Sequence, residues 1–186
     1  MEVKEWSYEE MPDFTEYVEG AHVISTTGDE VGVTYIHNVE YAEINHEKLY
    51  LQILFPYTRN HPNPLCPCVV FVQGSAWLPQ DVYAQIPGLT KLAERGYVVA
   101  IVQYRHSGIA PFPAQIMDAK NAVRFLRKNA LKYHIDANNI FLSGDSSGGH
   151  TAMFAGIMHD ETTENLYPDT SAEIKGIINY YGSTSV

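Results

Sequence analysis

Hydrophobic positions along the chain follow two periods, and the switches between them mark out the elements. Val33 to Ala42 and Lys48 to Pro56 alternate around an Asn45-His46-Glu47 turn, which predicts a pair of strands. In the second, Tyr50, Gln52 and Leu54 share one face and Leu51, Ile53 and Phe55 the other. A loop rich in proline and asparagine, Tyr57 to Pro67, leads to Cys68-Val69-Val70-Phe71-Val72. Such a short continuous apolar run marks a strand covered on both faces. Ile86 to Arg95 reads as a helix stopped by Gly96, and Tyr97 to Val102 as another buried strand. Pro113 opens the clearest helix: Ile116, Ala119, Val123, Leu126 and Ala130 recur at steps of three and four and so share a face. Asp118 in its opening turns, and Arg124, Arg127, Lys128 and Lys132 toward its end, suit the helix dipole. Ile140 to Ser143 predicts a strand, Gly148 to Met158 a helix, and Ile174 to Tyr181 a last strand.

From Cys68 onward strand and helix alternate four times over. The expected fold is therefore α/β, a mostly parallel sheet covered by helices on both faces, with the two N-terminal strands joined antiparallel at one edge. The expected division is an acidic N-terminal segment, residues 1–32, followed by an α/β domain over residues 33–186.

Composition narrows the class. A 186-residue chain that is 45% hydrophobic and 18% charged has the make-up of one ordinary globular domain. Its net charge of −10 is carried by residues 1–50, where twelve acids face only Lys4 and Lys48; ten acids and ten bases balance over residues 51–186. The acidity reads as a solvated surface, and with no basic patch, nucleic acid is not an expected partner. Met1 to Gly20 is acidic and interrupted, unlike a signal peptide, and no apolar run approaches a membrane span. Cys66 and Cys68 stand too close for an unstrained bridge, and two thiols alone make a poor metal site. Both read as free thiols, which points to the cytoplasm.

The chemistry begins at Gly144-Asp145-Ser146-Ser147-Gly148-Gly149, directly after the apolar run Ile140-Phe141-Leu142. This is G-x-S-x-G between a strand and a helix. A nucleophilic serine must stand clear of the backbone on a tight turn, so the residues two before and two after must be nearly without side chains. Ser146 is the expected nucleophile, and the amide of Ser147 at the helix start is aimed at a forming oxyanion. Asp145 is expected to support the turn by hydrogen bonding. The small-residue loop Gln73-Gly74-Ser75-Ala76-Trp77, following an earlier strand, would add the amides of Ser75 and Ala76 to the oxyanion hole. Trp77 is a candidate wall of the substrate pocket.

Taken in order, Gln73 to Trp77, Gln103-Tyr104-Arg105, Phe112-Pro113-Ala114 with Asp118, and Gly144 to Gly149 resemble the α/β-hydrolase esterases. The likeness is greatest to the hormone-sensitive-lipase-like group and the related bacterial acetyl and feruloyl esterases, and it covers residues 33 to 183. That family has His-Gly-Gly-Gly in the oxyanion loop where this chain has Gln73-Gly74-Ser75-Ala76. The resemblance implies a serine carboxylic ester hydrolase working on short acyl esters, such as acetylated or feruloylated carbohydrates, with no cofactor and no metal. A prolyl-peptidase-like hydrolase and a non-catalytic binding module of the same fold are the alternatives. It also implies that Arg105 and Asp118 form a buried ion pair, and that Tyr104 and Phe112 pack.

A serine nucleophile needs a base, and a third group to orient it. In this family the acid and the histidine follow the serine along the chain. His150 and His159 both read as helix residues, His106 as a loop residue near the site. The resemblance therefore implies that the triad acid and histidine are not in this sequence, with a fragment favoured over a split enzyme or a remnant. The run Ile177-Ile178-Asn179-Tyr180-Tyr181 would leave an apolar edge strand, the expected route to pairing or a homo-oligomer.

Overall fold

The computed structural model describes residues 5–7, 9–13, 16, 18–60, 64–158 and 164–184. Six strands form one sheet in the order β1-β2-β4-β3-β5-β6. They are β1 (Gly32–Ile44), β2 (Glu47–Tyr57), β3 (Cys66–Val72), β4 (Val98–Val102), β5 (Ile135–Asp145) and β6 (Gly176–Tyr180). Among the described residues three α-helices connect them: α1 (Ile86–Ala93), α2 (Ala114–Lys128) and α3 (Ser146–Ile157). β1 and β2 pair antiparallel, β2 joins β4 antiparallel, and β4, β3, β5 and β6 run parallel. The expected architecture is present.

The hairpin turns through Asn45 and His46, at φ of 53° and 69°, with Ile44 paired to Glu47. Two consecutive left-handed residues match the twist of the flanking strands. A bulge between Ile36 and Val39 places Asn38 at φ of 51°. Asn38 there answers a buried polar residue in the sheet. Gln52, fully buried, accepts from the Asn38 amide (3.1 Å) and the Tyr35 hydroxyl (2.7 Å), and donates to Asn38 Oδ1 (2.9 Å). Every polar atom of that side chain has a partner, as burial demands.

Alternation along the parallel strands splits the core in two. Cys68, Val70, Val72, Val98, Ala100, Val102, Ile140 and Leu142 face α2 and α3 in the large cluster. Val69, Phe71, Val99 and Ile101 point the other way, toward α1. The predicted stripe of α2 is buried along its length, from Ile116 to Ala130, although the helix closes at Lys128 and Ala130 packs from the turn beyond it. Arg127 and Lys128 lie in the last turn, as the dipole favours. Arg124 instead is buried.

Most boundaries differ from the sequence reading by one or two residues, and three of the differences matter. β5 starts at Ile135 rather than Ile140, because its first residues pair with Cys66 across a register shift before Cys68. α3 starts on Ser146 rather than Gly148, and β6 is shorter than Ile174 to Tyr181. Cys66 and Cys68 are free and buried, and burial pushes both thiols up, Cys68 far beyond the usual thiol range. Among the described residues no helix is long and apolar enough to cross a membrane. The described residues before β1 form neither helix nor strand and are largely exposed.

Candidate active site

β5 ends at Asp145 and α3 begins at Ser146, so the reversal of the chain falls on the serine itself. Ser146 has φ of 50°, a left-handed backbone that costs a non-glycine residue about 1–3 kcal/mol. It is exposed, while Gly144, Ser147, Gly148 and Gly149 around it are buried. The flanking glycines are required by contact. A Cβ on Gly148 would stand 2.0 Å from the Val72 carbonyl oxygen, and one on Gly144 would stand 2.4 Å from the Gly148 carbonyl oxygen. Any side chain at either position would push the turn off the end of β3. The amide of Ser147 belongs to the first turn of α3, where backbone donors have no partner within the helix.

The loop after β3 closes on this turn. Gly74 passes so near that a Cβ on it would lie 2.8 Å from Ser146 Cβ. The side chains on either side of the nucleophile hold the loop. Asp145 Oδ1 accepts from the Gly74 amide at 2.9 Å, and Ser147 Oγ accepts from the amides of Ser75 at 2.9 Å and Trp77 at 3.3 Å. Asp145 thus braces the neighbouring loop as well as ending its own strand. Ala76 and Trp77 sit at φ of 53° and 58°, two further left-handed residues in succession. Such a backbone persists only where its surroundings fix it.

Behind the loop stands Tyr104, buried, with its hydroxyl 2.8 Å from Ser75 Oγ and donating to the Gln73 carbonyl at 3.2 Å. Burial pushes its phenol up, partly offset by the hydroxyls of Ser75 and Ser147. Gln80 Oε1 accepts from the Tyr104 amide at 2.8 Å. Tyr104 is therefore a polar brace and not packing alone. Phe112 does not pack: it is 60% exposed, at the entry to α2 ahead of Pro113.

Arg105 and Asp118 form the expected buried pair. The Arg105 side chain donates three bonds to Asp118 at 2.8 to 3.1 Å and its amide a fourth at 2.9 Å. Burial pushes the Asp118 carboxyl up, and the guanidinium opposes that shift. Asp118 thus serves Arg105 rather than the helix dipole. Glu164, which no local pattern singles out, joins as a second acceptor at 2.6 Å from Arg105 Nη2. The group fixes the chain leaving β4.

Among the described residues, no hydrogen bond is made to the Ser146 hydroxyl. His150, one helical turn further on, is 2% exposed, with its ring edge-on to Trp77 and against Phe154 at centroid distances of 5.3 and 4.4 Å. Neither ring nitrogen has a hydrogen-bond partner, and burial pushes its pKa down. His106 Nδ1 accepts from the Gly108 amide at 3.2 Å, while Ser107 donates to the Trp77 carbonyl at 2.8 Å from its amide and 3.1 Å from its hydroxyl. His159 lies outside the described residues. Trp77 is half-buried, its ring packed on His150. Among the described residues no cluster of His, Cys, Asp and Glu suits a metal.

Comparison with known proteins gives this geometry its setting. The family profile described as BD-FAE matches residues 51–186. Esterase LipC of Mycobacterium tuberculosis is 30% identical over 127 residues, which cover 67% of this chain and 32% of that protein. Isoprenylcysteine alpha-carbonyl methylesterase ICME of Arabidopsis thaliana is 31% identical over 127 residues, 68% of this chain and 29% of its own. The chain thus spans about a third of the length of the curated relatives it matches. Among solved structures, a truncated carbohydrate esterase from gut microbiota is 30% identical, with a TM-score of 0.68 over 83% of this chain and 58% of that one. The fold is also that of an esterase from Thermogutta terrifontis, with a TM-score of 0.69 over 84% of this chain and 55% of that one, at 24% identity.

Proposed function

The chain belongs to the BD-FAE family, with an α/β-hydrolase fold, and on that premise we propose that Ser146 is the nucleophile of a carboxylic ester hydrolase. The observation that carries the reading is the exposed serine at φ of 50° on a turn that admits only glycine two residues before it and two after. Strain at a single exposed polar residue, over-determined by its neighbours, is the mark of a catalytic elbow.

The steps follow from the chemistry of the parts. Ser146 Oγ attacks the ester carbonyl carbon and gives its proton to a base, and the carbonyl oxygen becomes an oxyanion. The amide of Ser147 and an unoccupied amide of the loop after β3 receive that charge, a contribution of about 3–4 kcal/mol per donor in serine hydrolases. Collapse expels the alcohol, which takes the proton, and leaves an acyl group on Ser146. Water then repeats the sequence and frees the acid. His150 is not the base in this reading, since its ring is sealed between Trp77 and Phe154. The histidine and its orienting acid lie outside the described residues.

Short acyl esters are the proposed substrates, carbohydrate esters among them; the 30% identity to a carbohydrate esterase supports that choice. Trp77, half-buried and next to the oxyanion loop, is the proposed wall of the pocket. Buried free thiols at Cys66 and Cys68 support a cytoplasmic setting.

The test is intact mass after fluorophosphonate treatment of the chain, beside Ser146→Ala, with and without added imidazole to stand in for the base. Loss of the base leaves only about 10³–10⁴ over water, so slow labelling is expected, quickened by imidazole and absent in the variant. An adduct that survives Ser146→Ala would overturn the assignment.

A further inference from the structure

Most amides of the Gly74–Leu78 loop are already engaged. Gly74 donates to Asp145, Ser75 and Trp77 donate to Ser147 Oγ, and Leu78 donates to the Ser75 carbonyl at 3.0 Å. The remaining one is Ala76, whose amide makes no hydrogen bond among the described residues. Ala76 is exposed, and its left-handed backbone sits between the two amides that Ser147 holds. Resting on the assignment of Ser146, we infer that the Ser147 hydroxyl is a positioning group: it takes up the Ser75 and Trp77 amides and so leaves Ala76 as the loop's one donor to the oxyanion.

A hydroxyl offers two acceptor sites. Ser147 Oγ uses both on one loop, one residue before Ala76 and one after it. That bracket fixes the peptide plane between them, which neither of its bonds would do alone. Its position in the sequence makes the device economical. The backbone N–H of Ser147 is one donor to the oxyanion, and its side chain orients the other. The Ser75 amide, expected from the sequence to face the oxyanion, is a holding group instead. Its own side chain completes the brace, with Ser75 Oγ donating to the Leu78 carbonyl at 2.6 Å and meeting the Tyr104 hydroxyl at 2.8 Å.

The test separates this inference from the one it rests on. Amide hydrogen exchange on the 186-residue chain, with Ser147→Ala beside it, reads the brace without any activity. The expected result is exchange about tenfold faster at Ser75 and Trp77, with Gly74, held by Asp145, unchanged as the internal control. Unchanged protection at Ser75 and Trp77 would overturn the inference. The second readout is fluorophosphonate labelling of Ser146 in the presence of imidazole. There Ser147→Ala should lower the maximal labelling rate by about tenfold or more while the half-saturating probe concentration stays put, and Ser147→Thr, which keeps the hydroxyl, should restore it. A loss confined to probe affinity would also overturn it. If the unmutated chain does not label at all, the assignment of Ser146 fails, and exchange still decides whether Ser147 positions the loop.

Discussion

Along β5, two neighbouring side chains meet opposite surroundings. Leu142 points into the packed face, 1% exposed among Val70, Val72 and the residues of α2 and α3. Phe141 points to the other face, where with Phe71, Leu92, Ile178 and Tyr180 it lines a cavity of about 390 Å³. One face of the sheet is a finished core and the other is only partly covered, by α1. The nucleophile turn grows out of the finished side: the carbonyls of Val72 and Gly148 crowd Gly144, and Ser147 and His150 are buried beneath it. A strained turn at Ser146 has to be held by rigid surroundings, and the packed face supplies them.

The largest effect that tests the contrast comes from truncating each neighbour. Leu142→Ala leaves a void in a dense core and is expected to cost about 2–5 kcal/mol, read as a shift of the urea midpoint at constant m. Phe141→Ala removes more atoms, yet beside an existing cavity it is expected to cost only about 1 kcal/mol. Equal losses would mean that the second face is packed in solution, and the contrast would fail.

A smaller effect concerns what the open face does. β6 is an edge strand whose Ile178 is 40% exposed and Tyr180 53%, next to Tyr181 at 80%. An apolar edge of this kind recruits other strands. The chain is expected to associate as its concentration rises, and Ile178→Lys to move the midpoint about tenfold higher in sedimentation velocity, which is ~1.4 kcal/mol. A monomer at all concentrations would show that the edge is innocuous.

The packed face was the more legible of the two. The period-four stripe of α2, the strand runs around Val70 and Val99, and the glycines that frame Ser146 each state a local requirement, and local requirements are written in consecutive residues. The beginning of β5 was hidden because Asp136-Ala137-Asn138-Asn139 has no apolar run; it becomes strand through its pairing toward Cys66, far away in the chain. The grip of Asp145 and Ser147 on the Gly74–Trp77 loop was hidden for the same reason, since the partners are some seventy residues apart. The sequence reading therefore assigned Ser75 by its place in a loop, and only the fold revealed that its amide is occupied. Glu164, meeting Arg105 across 59 residues, left no local sign at all.

Among the described residues His150 departs furthest from the rule that buried polar groups are satisfied, with two side-chain atoms unpartnered against one in Gln73. His150 is 2% exposed, its neighbours are the rings of Trp77 and Phe154, and neither nitrogen has a partner. A buried group left in that state costs about 1–3 kcal/mol. Burial also lowers its pKa below the ordinary 6.5, so the unfolded chain takes up the proton first as pH falls. Stability linked to His150 is thus complete above about pH 6.5 and declines below it, by at most ~1.4 kcal/mol per pH unit until the folded protein titrates too. His150→Phe keeps a ring between its two neighbours and removes both nitrogens and the titration. The variant is expected to gain about 1 kcal/mol at neutral pH, and the gain is expected to widen toward pH 5.5, measured as urea midpoints at the two pH values. A gain that narrows on acidification would mean that the folded protein binds the proton more readily than the unfolded chain. The ring would then have an acceptor in solution, and His150 would obey the rule.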